Sequence, residues 1–144
     1  MQNTEKELND TELKMYQFIT NQKPNTIYNI ESEVGVGKIQ MLKNIAEKMN
    51  VRFIIFQMSM CELSDISNID LFLNEPTLII FEDIDRIKTF IQEKLLDVII
   101  RRKTPNGLDI GFDIHMVCCS RYDINGDYVN NPITNNPYMI TLTI

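Results

Sequence analysis

"NIESEVGVGKIQ", residues Asn29 to Gln40, decides how the rest of the chain is read. Gly35 to Lys38 form the Gly-x-Gly-Lys of a phosphate-binding loop, but Ile39 stands where a serine or threonine hydroxyl should follow the lysine. Such a loop works only between a strand and a helix. There its backbone N–H groups converge on the phosphates and the helix N-terminus adds partial positive charge.

The flanking sequence supplies that context. "TIYNI", residues 26 to 30, is a short β-rich stretch. From Lys38 the pattern turns helical, with Ile39, Leu42, Ile45, Ala46 and Met49 on one face. Gly35 and Gly37 can take backbone angles that other residues avoid, and they allow close approach to a ligand. Lys38 would reach the outer phosphates. Ser32 replaces the first glycine of the pattern and keeps a small residue at the turn; Ile39 removes a magnesium ligand outright. Without a ligand, the same stretch reads as an ordinary turn opening a helix, with Lys38 in solvent.

Further along, "NDTELKMYQFITNQ" opens the chain as a helix, with Leu13, Tyr16 and Ile19 on its apolar face and Pro24 closing the segment. "VRFIIFQM" from Val51 is a second strand, with an apolar run rich in β-branched residues as in strands covered on both faces. Residues 59 to 75 are polar and irregular, with at most a weak helical turn. "TLIIF" from Thr77 is the third strand and runs into the acidic cluster "EDID". An amphipathic helix follows, with Ile87, Phe90, Ile91, Leu95, Val98 and Ile99 on one side. It ends in Arg101, Arg102 and Lys103, cations that suit a last helical turn and read as a solvated cap. "DIHMVCCS" from Asp113 is the fourth strand, residues 121 to 137 a long loop, and "YMITLTI" from Tyr138 the fifth strand. Apolar strands alternating with helices predict an α/β fold: a five-stranded parallel sheet with helices on both faces, plus an N-terminal helix. At 144 residues the chain is expected to be one domain, 1–24 a helical segment and 25–144 the core.

Composition narrows the function. The formal net charge of -6 argues against a generic electrostatic grip on nucleic acid. The three cysteines, Cys61, Cys118 and Cys119, make no disulfide framework, and with His115 as the single histidine no zinc spacing arises. The polar, acidic opening carries no secretory signal and no apolar run reaches transmembrane length, so the expected location is cytoplasmic, away from membranes.

The acidic cluster completes a second motif. In "PTLIIFEDIDR" an apolar strand ends in two carboxylates, where the first would position a magnesium ion and its water shell and the second would orient or deprotonate an attacking water. Asp83 or Asp85 would serve equally well as a cap of the following helix. Both motifs lie at carboxyl ends of strands, where open α/β sheets bind ligands.

Taken in order, these pieces resemble the AAA+ superfamily of P-loop ATPases. "SEVGVGKI" is similar to its phosphate loop and "LIIFEDIDR" to its acid-terminated strand, while "MVCCSRYD" resembles the strand carrying the sensor-1 residue, at Ser120. "NPITNNPYMITL" resembles the segment where clamp-loader and MoxR-like members place an arginine finger. The resemblance covers residues 25 to 144. It implies ATP or ADP bound by Ser32, Gly35, Val36, Gly37, Lys38 and Ile39, magnesium positioned by Glu82, Asp83 as base, Ser120 as γ-phosphate sensor, and a protein partner, either an ATPase ring or further copies of the chain.

The departures are systematic. Ile39 lacks the hydroxyl. Glu82–Asp83 reverses the family's Asp–Glu order, changing each carboxylate's reach by about 1.5 Å, enough to cost much of a rate. Asn135 and Asn136 occupy the place of the finger arginine, and the family's small helical lid has no counterpart in these 144 residues. The expected function is nucleotide binding with impaired or absent hydrolysis, as a subunit or regulator of a larger assembly. A slow magnesium-dependent ATPase completed by a partner and a non-nucleotide interaction protein are the alternatives.

Overall fold

The computed structural model describes residues 7–33, 35–60, 62–84, 88–122 and 137–144. The elements in chain order are α1 (Asp10–Thr20), β1 (Ile27–Glu33), α2 (Lys38–Met49), β2 (Arg52–Gln57), α3 (Leu63–Ile66), β3 (Thr77–Glu82), α4 (Thr89–Arg101), β4 (Ile114–Tyr122) and β5 (Met139–Thr143). Short 3-10 turns, Met58–Met60 and Ser67–Phe72, flank α3. The five strands form one parallel sheet in the order β2-β3-β4-β1-β5.

Side chains alternate across this sheet, and each set packs on its own helices. On one face Ile30, Leu78, Ile80, Val117 and Cys119 meet Met15 and Ile19 of α1 and Leu42, Ile45 and Ala46 of α2. On the other, Ile79, Phe81, Ile114, Met116 and Cys118 meet Leu95, Leu96, Val98 and Ile99 of α4, together with Ile66 and Ile69. The faces follow from chain direction. β1 to β2 travels toward one edge of the sheet, whereas β2 to β3 and β3 to β4 travel back. Crossovers of one hand must then place α2 on one face and α3 and α4 on the other. β1 and β3 therefore send their chains to opposite faces, which opens a crevice at the carboxyl ends of the strands between them.

Several local expectations shift. In α1 the buried residues are Glu12, Met15 and Ile19, while Leu13 is exposed. The helix starts on a capping box: the Asn9 side chain accepts from the Glu12 N–H at 2.8 Å, and the Glu12 carboxylate accepts from the Asn9 N–H at 3.1 Å. The other Glu12 oxygen accepts from Asn44 Nδ2 at 2.8 Å, so the cap also ties α1 to α2. β2 is an edge strand with half-exposed side chains rather than a strand covered on both faces, because among the described residues no strand pairs beyond it. Phe90 lies exposed in the first turn of α4. The polar stretch after β2 delivers Ile66 and Ile69 to the core.

The basic triplet divides. Arg101 pairs with Asp97 and Lys103 with Asp109 at the surface, as a solvated cap would. Arg102 instead adopts a left-handed backbone, φ 52°, and its guanidinium donates to the carbonyls of Ile110, Gly111 and Ile114. Those bonds offset the cost of about 1–2 kcal/mol that a side chain pays in this conformation.

Candidate functional site

β1 carries the chain through Ser32 and Glu33 before it turns, so Ser32 belongs to the strand and not to the loop. Gly35 and Gly37 have φ of +89° and +78°, and α2 begins at Lys38. A Cβ at either glycine would meet nothing within 4 Å, so backbone conformation and not crowding selects glycine there. Val36 is exposed on the loop, and Ile39 packs half-buried against the α1–α2 core.

Lys38 is not in solvent. Its side chain is buried; Nζ donates to the Ser120 carbonyl at 3.1 Å and lies 3.8 Å from Glu82 Oε1. Beyond Glu82, Asp83 takes a left-handed backbone, φ 56°, and is buried, with Oδ1 2.8 Å from Arg121 Nε. These two atoms are close but not aligned for a hydrogen bond. Asp83 is not the cap of α4, whose N-cap position is Lys88.

Strand alternation decides who faces the loop. Ile30, Ile80 and Cys119 all point to the α2 face, so Ser32, Glu82 and Arg121, two residues further on, point there too. Ser32 and Arg121 are register partners on adjacent strands. Together with Glu33, the glycine loop, Lys38, Ile39, Gln40 and Glu82 they line a cleft of about 220 Å³. That is smaller than a usual small-molecule pocket of roughly 300–1,000 Å³, and suits phosphate groups more than a whole nucleotide. The Ser32 hydroxyl is buried in its wall, without a hydrogen-bond partner among the described residues.

Ser120 falls on the opposite face from this cleft. Its hydroxyl accepts from Asn29 Nδ2 at 3.0 Å in a fully buried pair, and only its carbonyl reaches the site, through Lys38. The structure thus gathers Ser32, Gly35, Val36, Gly37, Lys38, Ile39, Glu82 and, behind it, Asp83, and separates the Ser120 hydroxyl from them. It adds Arg121, which from the sequence could equally pair with a surface carboxylate or touch a phosphate; the i, i+2 spacing from Cys119 puts it on the cleft face. Asp85, Arg86, Asn135, Asn136 and Cys61 lie outside the described residues.

The donor set fits an anion better than magnesium. Ile39 offers no oxygen, Glu82 already faces an ammonium, and among the described residues no group of three or more His, Cys, Asp or Glu converges. The Cys119 thiol, beneath the site, is pushed up to about 12, mainly by burial, and is inert as a nucleophile at neutral pH.

A larger cavity of about 720 Å³ opens between α3 and the carboxyl end of α4. Two of the cations lining it, Arg101 and Lys103, are paired with surface carboxylates and among the described residues it gathers no buried charge, so the smaller cleft is the stronger candidate despite its size. No helix among the described residues is long and apolar enough to cross a membrane. The sequence matches no family model, and no curated protein matches it.

Proposed function

We propose that the chain is an AAA+-like P-loop domain that binds ATP or ADP at the cleft of Ser32 to Ile39 and acts through binding more than turnover, as a subunit or regulator of a larger assembly. One observation carries this reading. The first residue of α2 turns its ammonium inward to the ends of β3 and β4, behind two glycines with positive φ that open the helix toward the cleft. A solvated turn lysine would have no reason to be buried there, since burying a charge is costly unless it is paired.

Weak hydrolysis is supported by two features. Ile39 brings no metal ligand, and the Ser120 hydroxyl is spent on Asn29. The presence of two carboxylates at the cleft keeps a slow, partner-completed ATPase as the second reading.

Calorimetric titration with ATP and ADP, with and without magnesium, tests the proposal. Binding in wild type that disappears in Lys38→Ala, with no phosphate release above background, is the expected result. Magnesium-dependent phosphate release would favour the ATPase. No binding at millimolar nucleotide would overturn both and leave an α/β interaction protein.

A further inference from the structure

We infer that Arg121 is the second phosphate-binding cation of this cleft, supplied from the chain itself, and that it takes over charge neutralisation for which Ile39 leaves no metal ligand. The inference rests on the nucleotide-binding reading above and adds to it a residue and a consequence: binding of a nucleoside polyphosphate that does not require a divalent cation.

The placement is fixed by the sheet. Arg121 is the register partner of Ser32 on the neighbouring strand and shares its face, so both flank the loop that opens α2. Its side chain is about three-quarters buried, at 26% exposure, and it lines the cleft with Lys38. Among the described residues Lys38 is paired with Glu82 and Arg121 with Asp83. Glu33 adds a further carboxylate to the lining, so the site without ligand carries no net positive charge, and the cations are bound to internal stand-ins for an anion.

The Arg121–Asp83 contact is a poor resting place. The two atoms are 2.8 Å apart, yet among the described residues neither the Nε–H nor the Oδ1 lone pair finds an aligned partner. The strained, left-handed Asp83 holds the carboxylate there. A phosphate presents several oxygens in the geometry a guanidinium fork matches, so it can align the bonds that Asp83 does not. The orphan hydroxyl of Ser32 offers a further donor on the same wall. On ligand entry Arg121 exchanges Asp83 for the outer phosphates while Lys38 keeps its place at the helix start.

The test is ATP titration in EDTA and, separately, in magnesium, on wild type, Lys38→Ala, Arg121→Gln, Arg121→Lys, Asp83→Asn and the Arg121→Gln/Asp83→Asn double variant. Circular dichroism checks that each variant folds, and the double variant leaves no buried carboxylate without its cation. We expect Arg121→Gln to weaken ATP binding in EDTA about tenfold or more, Arg121→Lys to restore part of it, and Asp83→Asn to tighten it by releasing the arginine. The double variant should bind as weakly as Arg121→Gln. If the double variant binds like wild type, Arg121 serves only to neutralise Asp83 and the inference fails. If Arg121→Gln binds like wild type while Lys38→Ala does not, the inference fails and the nucleotide-binding reading stands. If wild type does not bind, or Lys38→Ala binds as well as wild type, that reading itself fails.

Discussion

Lys38, the first residue of α2, and Glu82, the last residue of β3, bring opposite charges to 3.8 Å across the end of β4. Both are buried, so the pair is a structural element of the crevice as well as its candidate chemistry. Removing one partner of such a pair leaves the other charge in a low-dielectric site. Lys38→Met is expected to lower stability by about 1–3 kcal/mol, and Lys38→Met combined with Glu82→Gln to recover most of that loss. Neither should bind nucleotide. Urea unfolding and titration on the same samples separate the two effects; full stability in Lys38→Met would mean the ammonium contributes nothing to the fold.

Arg102 makes a separable prediction at the end of α4. Arg102→Ala keeps the left-handed strain and loses three bonds to the carbonyls of Ile110, Gly111 and Ile114, so it should destabilise by about 2–4 kcal/mol. Arg102→Gly loses the same bonds but relieves the strain, and should be the milder of the two by about 1 kcal/mol. Equal urea midpoints for the two variants would show that the backbone there is unstrained.

The buried cap of α1 is expected to cost more than an exposed one. Glu12→Ala removes the acceptor for both the Asn9 N–H and Asn44 Nδ2, and should destabilise by about 2 kcal/mol. Asp10→Ala, two residues earlier on the exposed side, should have less than half that effect. Thermal unfolding of the two variants compares them directly.

His115 gives the pH dependence a sign. Burial lowers its pKa, the nearby Arg102 charge lowers it further, and Asp113 opposes with a smaller raising. The folded state therefore resists protonation more than the unfolded state does. As pH falls through 6.5, the ordinary value, the unfolded chain gains the proton first and stability declines, down to the lowered folded value. Above that window the histidine contributes no slope. His115 is the chain's single histidine, so His115→Gln should flatten the stability profile between about pH 7 and pH 5. An unchanged profile would assign that slope to other groups.

Much of the fold was legible because its signals are local. Strands β3 and β4 read as apolar runs, α2 as a 3.6-residue stripe ending on Met49, and the loop before α2 as two glycines followed by a lysine. What failed locally failed for tertiary reasons. "VRFIIFQM" has the composition of a central strand, but position in the sheet is set by which strands pair, and β2 ended at the edge. Phe90 fits the apolar stripe of α4, yet in the first turn of that helix it is left 59% exposed. Ile66 and Ile69 lie in a polar stretch whose period is too short to register, and only closure over β3 and α4 buries them.

The same division holds at the site. The sequence alone determined the order of the parts: a strand, a glycine loop, a lysine opening a helix, then a strand ending in two carboxylates. Each is fixed by neighbours in the chain, through backbone conformation and periodicity. The tertiary structure decided which side chains share the cleft. Ser120 and Arg121 are consecutive, and strand alternation sends one to each face; the choice between them follows from packing Cys119 against α2 and Cys118 against α4. A residue's face is settled by what the whole sheet buries, which no short stretch of sequence contains.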